Sequence, residues 1–185
     1  MRVIAGKHRG RKIESPEGNR VRPTSDMVRG AIFNILHNST DWENTAVLDV
    51  CCGTGAFGIE ALSRGAKFAG FIDSHRESIK YAEKNIAAIK EQTNAAIFCA
   101  AVEKLPRADR EYNLVFIDPP YKTGLCDVAL TALIKHGWIA HDATIVLELS
   151  EKEELKSLEL LDISRERFYG ITKVVFANLA GSRKP

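Results

Sequence analysis

The stretch DVCCGTGAFGIEALSRGA, residues 49–66, holds Gly53, Gly55 and Gly58 between an apolar run and a helical pattern. Its G-x-G-x-x-G spacing is that of a dinucleotide-binding loop. Glycine there permits a tight turn and lets a ligand approach the backbone closely. More than one adenosine-bearing ligand needs such a loop, so the triplet alone does not choose between them.

The residues around it do. Asp49 precedes Gly53 by four residues. A dinucleotide would bring its pyrophosphate to the N-terminus of the following helix, where a carboxylate would repel it. S-adenosylmethionine carries a sulfonium and an ammonium instead, and Asp49 suits both; its other possible role is to order the loop by accepting backbone N–H groups. Asp73 ends the next apolar run, 20 residues beyond Gly53. A carboxylate there can accept both hydroxyls of an adenosine ribose, or cap the helix that starts near Ser74. The third feature is Asp118-Pro119-Pro120-Tyr121, directly after the apolar run NLVFI. Two prolines forbid helix and remove two N–H donors. They fix a carboxylate, a carbonyl and an aromatic ring at one place. Asp118 and the Pro119 carbonyl can accept the two N–H bonds of an exocyclic amine while Tyr121 stacks on the ring that bears it. Hydride transfer has no use for such a clamp.

Outward from these motifs, short apolar runs alternate with helical patterns. Strands are expected at AVLDV, FAGFID, AAIFCA, YNLVFID and ATIVLEL, then as an antiparallel pair, LLDISRERF and TKVVFANL, turning at Tyr169-Gly170. Helices are expected at AFGIEALSRGA, closed by Gly65; at ESIKYAEKNIAAIKE, with Ile79, Ala82, Ile86 and Ile89 inward; near 125–136; and briefly at 151–157. Strand–helix alternation with nearly continuous apolar strands means an α/β fold with a mostly parallel sheet covered on both faces. Ligands in such sheets bind outside the carboxyl ends of the strands. The candidate cofactor residues are therefore Asp49, Cys51, Gly53, Gly55, Asp73, Ser74, Ala101, Val102 and Asp118, and the candidate catalytic residues Asp118, Pro119, Pro120 and Tyr121.

Ahead of this pattern, RVIA and KIES flank a Gly-rich turn and read as a short hairpin. RPTSDMVRGAIFNILHN reads as a helix with Met27, Val28, Ala31, Ile32, Ile35 and Leu36 on one face. This divides the chain into a basic extension, 1–40, and a cofactor domain, 41–185. Net charge is +2 for the whole chain but +5 for residues 1–30, where eight Lys/Arg stand against three Asp/Glu. Such asymmetry points to a polyanion at one end, with Arg9, Arg11, Arg20, Arg22 and Arg29 as candidate contacts. No run approaches the ~20 apolar residues of a membrane span, and the first residues lack the apolar core of a signal peptide; a cytoplasmic protein is the expectation. The four cysteines, 51, 52, 99 and 126, form no C-x-x-C pair and read as reduced, mostly buried side chains. No metal is expected.

With these motifs in place the chain resembles a known family. [DNS]-P-P-[YFW] marks class I methyltransferases that act on exocyclic amines of nucleobases. IAGKHRGRKI, the helix carrying Arg22, Pro23, Thr24, Asp26, Val28, Arg29, Phe33 and Asn34, the block Leu48–Ala66, DPPY, and Tyr169-Gly170 with Thr172 together resemble the bacterial 16S rRNA guanine-N2 methyltransferases of the RsmD type. The resemblance implies a seven-stranded Rossmann-like fold, S-adenosylmethionine as methyl donor and S-adenosylhomocysteine as product. It also implies a guanine N2 acceptor in small-subunit rRNA, within a 30S particle or an assembly intermediate, and a monomeric enzyme. The chain departs from the family at Cys51, Cys52 and Gly30. It departs also at Ala100, where the family often has Asp or Asn against the adenine amine; that contact falls to backbone or to packing by Val102. Three other readings are an adenine-N6 methyltransferase, a non-catalytic RNA-binding assembly factor on the same fold, and an oxidoreductase. The last would want a proton-relay pair such as Tyr-x-x-x-Lys, and Tyr81 is followed four residues later by Asn85.

Overall fold

The computed structural model describes residues 1–16, 23–121 and 123–182. Helix α1 is Pro23–Leu36; then follow β1 Ala46–Val50, α2 Ala56–Ser63, β2 Phe68–Asp73, α3 Arg76–Ala88, β3 Ala95–Cys99, β4 Tyr112–Ile117, α4 Leu125–Lys135, β5 Ile139–Ser150, β6 Leu161–Tyr169 and β7 Thr172–Leu179. The seven strands form one sheet in the order β3-β2-β1-β4-β5-β7-β6. The first five are parallel, and β7 runs antiparallel to both β5 and β6. The chain order reverses between β1 and β4, which makes the carboxyl ends of those two strands the place where a ligand belongs.

Strand alternation sorts the core into two layers. Val47, Phe71, Phe116, Val146 and Val174 face α1, α2 and α3. Leu48, Ile72, Val115, Ile145 and Leu147 face α4. The expected inward residues of α3, Ile79, Ala82, Ile86 and Ile89, are all buried. Val3 and Ile13 of the N-terminal hairpin and Val28, Ile32 and Phe33 of α1 share the first layer with the sheet. The hairpin is held by Val3 N–H to Arg11 O at 2.9 Å and Ile13 N–H to Met1 O at 3.0 Å.

Three expectations need correction. The inward face of α1 is rotated: Met27 is 59% exposed while Arg29 and Phe33 are buried, because the hairpin packs over the side of α1 that carries Arg29. Residues 151–157 are turns, not a helix. Glu153 N–H closes onto Ser150 O, and Asp127 of α4 takes both the N–H and the hydroxyl of Ser157, so tertiary partners replace the helix ladder. Cys99 is exposed, whereas Cys52 and Cys126 are buried and Cys51 is half-buried; all four are free thiols. Among the described residues no helix is long and apolar enough to cross a membrane, and no group of three or more His, Cys, Asp or Glu could hold a metal ion.

Candidate active site

The loop after β1 turns at once. Cys51 adopts φ 59°, a left-handed conformation that non-glycine residues enter rarely and that recurs at ligand-binding turns. Cys52 N–H donates to Ile72 O at 3.0 Å, which ties the turn to β2. Two carboxylates then hold the loop. Asp49 accepts Gly58 N–H at 2.9 Å and Asp73 accepts Gly53 N–H at 2.9 Å. The three glycines have separate reasons. A Cβ at Gly53 would meet nothing within 4 Å, whereas one at Gly58 would sit 2.3 Å from the Phe71 ring. Gly58 thus serves helix–sheet packing, and that need is indifferent to the ligand. This is why the fingerprint alone could not decide.

Asp73 also accepts His75 N–H, at 2.8 Å, on its other oxygen. Asp73 thus orders the turn that leads into α3, whose N-cap His75 makes no side-chain cap bond, and it borders the cavity. Asp49 is 1% exposed. Burial pushes its carboxyl up to about 7, against the pull of the Gly58 and Phe57 N–H groups. A cation bound beside it would bring it down again.

After β4 the construction is different. Asp118 N–H makes a last ladder bond to Val50 O at 3.3 Å, and the two prolines offer no further donor. The Tyr121 hydroxyl donates to Glu148 at 3.0 Å and lies 2.7 Å from the Thr172 hydroxyl. Burial raises the Tyr121 hydroxyl to about 12, with Thr172 opposing and Glu148 adding to the rise, so it stays protonated and donates at neutral pH.

A cavity of about 500 Å³ joins the two loops, with Gly53, Asp73, Ser74, Asp118, Tyr121 and Glu148 among its walls. A side pocket of about 140 Å³ lies between Ala100, Ala101 and Val102 on one side and Leu125 on the other; Cys51, Asp73 and Ser74 border both spaces. A third, of about 190 Å³, is lined by Asp49, Asp118, Glu148, Arg29 and Met1. All the expected cofactor positions except Gly55 thus border one connected set of cavities. Gly55, φ 81°, stands behind them at the start of α2. The residues present fit S-adenosylmethionine: Asp73 can accept from ribose hydroxyls, the slot at Ala101 and Val102 can take adenine, Asp49 can face the cationic end, and the space over Gly53 is open. A pyrophosphate would meet carboxylates.

Arg29 is a correction. It is 1% exposed, donates to Met1 Sδ and Arg2 O and pairs with Asp26 at 3.1 Å. It is no surface contact for a polyanion; it is the cation behind the acidic wall. Arg9 and Arg11 are exposed. Arg20 and Arg22 lie outside the described residues. Sequence reasoning missed Glu148, although a lone charge inside the apolar run ATIVLELS was a signal, and it missed Met1, which carried none.

The whole chain is similar to known methyltransferases. A family profile described as Conserved hypothetical protein 95 matches residues 1–178. Ribosomal RNA small subunit methyltransferase D of Escherichia coli (strain K12) is 35% identical over 153 residues, covering 80% of this chain and 74% of that protein. The putative rRNA methyltransferase YlbH of Bacillus subtilis (strain 168) is 31% identical over 186 residues, 98% of this chain and 100% of that one. Among solved structures, the putative methyltransferase yhhF from Escherichia coli superposes with a TM-score of 0.82 at 32% identity, covering 97% of each chain.

Proposed function

The chain belongs to the RsmD-type family of S-adenosylmethionine-dependent methyltransferases, and from that premise we propose that it methylates the exocyclic N2 of a guanine in 16S rRNA. The observation that carries the reading is the meeting, in one cavity, of the Gly53–Asp73 loop with the Asp118–Tyr121 edge. The substrate class is that of the relatives named for small-subunit rRNA; the chemistry of the clamp supports an exocyclic amine, and the choice of guanine N2 comes from the family resemblance.

The N2 of guanine is a poor nucleophile because its lone pair is delocalised into the ring. Asp118 and the Pro119 carbonyl accept its two N–H bonds, which favours a tetrahedral nitrogen and frees the lone pair. When bound, S-adenosylmethionine supplies a methyl group on a cationic sulfur, which departs as the neutral thioether of S-adenosylhomocysteine. Asp73, Ser74 and the backbone at Gly53 fix its adenosine end, and Asp49 faces its positive charge. Asp118 receives the proton that the amine loses. Positioning and preorganised charge do most of the work. The base leaves its stack to reach the pocket. The exposed Arg9 and Arg11, by the hairpin tip that packs on Ser63 and Glu91, grip phosphates away from the pocket in a salt-dependent and largely sequence-blind contact, a role extended to Arg20 and Arg22 from the sequence alone. The enzyme acts as a monomer, in the cytoplasm, on the 30S subunit or its precursor.

The test is transfer of labelled methyl to 30S particles that lack this modification, followed by nucleoside analysis. Label in N2-methylguanosine is expected. Label in N6-methyladenosine would keep fold and cofactor and overturn the acceptor. Absence of label despite cofactor binding would favour the assembly-factor reading.

A further inference from the structure

Asp49, Asp118 and Glu148 lie on the same face of the sheet. Alternation along each strand puts Asp49 with Val47, Asp118 with Phe116 and Glu148 with Val146, all on the layer toward α1 and α2. The register pairs Ile117 with Leu147, so Glu148 on β5 is the next neighbour of Asp118 across the β4–β5 edge. Both line the 500 Å³ and the 190 Å³ cavities. Glu148 is also held in place. The Tyr121 hydroxyl, which stays protonated, spends its one proton on Glu148, so the Thr172 hydroxyl 2.7 Å away donates to Tyr121. Thr172 opens β7, with Ser150 of β5 as its register partner. Three strand ends therefore fix one glutamate beside the clamp.

We propose that Glu148 reads the Watson–Crick edge of the acceptor base and selects guanine over adenine. The inference rests on the guanine reading above and adds the group that enforces it. Guanine presents its N1–H beside its N2 amine. Adenine presents a bare N1 lone pair beside its N6 amine. D-P-P-Y accepts the amine of either base, so it cannot choose. An ionised carboxylate is an acceptor only: opposite N1 it gains a charge-assisted bond from guanine and meets lone-pair repulsion from adenine. A carboxylate offers about four acceptor positions, so accepting from Tyr121 is compatible with accepting from a base. Tyr121 is the positioning residue, with its ring toward the base and its hydroxyl on Glu148.

The experiment compares 30S particles carrying guanine or 2-aminopurine at the methylated position, mapped beforehand with the wild-type enzyme. 2-Aminopurine keeps the 2-amine but has no N1–H. Wild type should prefer guanine by about 10²-fold in kcat/KM, the discrimination expected of one good paired contact. In Glu148→Gln the amide can donate to a bare N1, so the preference should shrink at least about tenfold, with some activity gained on 2-aminopurine. Tyr121→Phe should reduce the preference by a smaller factor while leaving Glu148 in the chain. Titration with S-adenosylhomocysteine shows that each variant retains a folded cofactor site. An unchanged preference in both variants, with rates lowered equally on the two bases, would overturn the assignment and leave the guanine reading standing. A wild-type enzyme that places no label on guanine would overturn both.

Discussion

Neighbouring strands reach the same edge of the sheet and end in opposite ways. β1 runs into Cys51-Cys52-Gly53-Thr54-Gly55, and β4 into Asp118-Pro119-Pro120-Tyr121. After β1 the backbone is permissive, and buried carboxylates hold it in place by accepting N–H groups from Gly58 and Gly53. After β4 the backbone is rigid by covalent structure, and the side chains are tethered across to β5 and β7 through Tyr121. The first construction brings backbone close to a ligand. The second fixes acceptors against a ligand that donates. In the proposed reaction the cofactor is held by shape and charge and the amine by acceptors, and the two loops supply these different materials on adjacent strands.

The comparison can be broken one loop at a time. Asp118→Ala should lower the single-turnover rate of methyl transfer by about 10³-fold, the upper range for removal of one preorganised polar group, while cofactor affinity falls far less, because Asp118 borders the cavity but it is Asp73 that accepts the Gly53 N–H of the cofactor loop. Asp73→Ala should do the reverse. Its loss of charge-assisted bonds to ribose and to Gly53 N–H should weaken cofactor binding by about 10²-fold, as isothermal titration would read. Gly58→Ala tests the packing reason for the third glycine. Its methyl meets the Phe71 ring and should cost about 1–3 kcal/mol, seen as a thermal midpoint lower by roughly 2–4 °C per kcal/mol.

A pH profile sharpens the role of Asp49. Burial holds its carboxyl at about 7 without a bound cation. Cofactor affinity should therefore rise through that pH and level off above it, by about tenfold between pH 6 and 8. Asn at position 49 should flatten the curve. The same shift works against stability: the folded chain keeps that proton up to about 7 and the unfolded chain only to the ordinary value of 3.8, so this group's contribution to stability falls as pH rises between them. The smallest effect belongs to the arm. Replacing Arg9 and Arg11 by Ala should reduce the slope of log affinity against log salt for 30S particles by about 2, with the chemical step unaltered.

The alternation of apolar runs and helical patterns was enough to read the sheet and its ligand-binding end, because β1, β2 and β4 are buried almost throughout and α3 buries one face, whereas β6, at the sheet edge, is exposed along most of its length. Asp73 and D-P-P-Y were legible for the same reason: polar groups stood out where apolar runs stopped. Arg29 was not. On a helical wheel it is a charge, and only the hairpin folding back supplies Met1 and Arg2 to bury it. Residues 151–157 misled because Glu-Lys-Glu-Glu-Leu-Lys-Ser favours helix locally, while Asp127, 30 positions before Ser157, holds that serine in a turn. Glu148 was visible as an anomaly, but its meaning depends on lying beside Asp118 across two strands.

The most direct test of this division of labour is paired measurement, in one preparation, of S-adenosylhomocysteine affinity and single-turnover methyl transfer to 30S particles for Asp118→Ala and Asp73→Ala. The two variants should fail in opposite ways: Asp118→Ala binds and does not transfer, and Asp73→Ala binds weakly and recovers rate as S-adenosylmethionine is raised. If the two variants lose binding and transfer in the same proportion, the loops do not divide the work and the account is wrong.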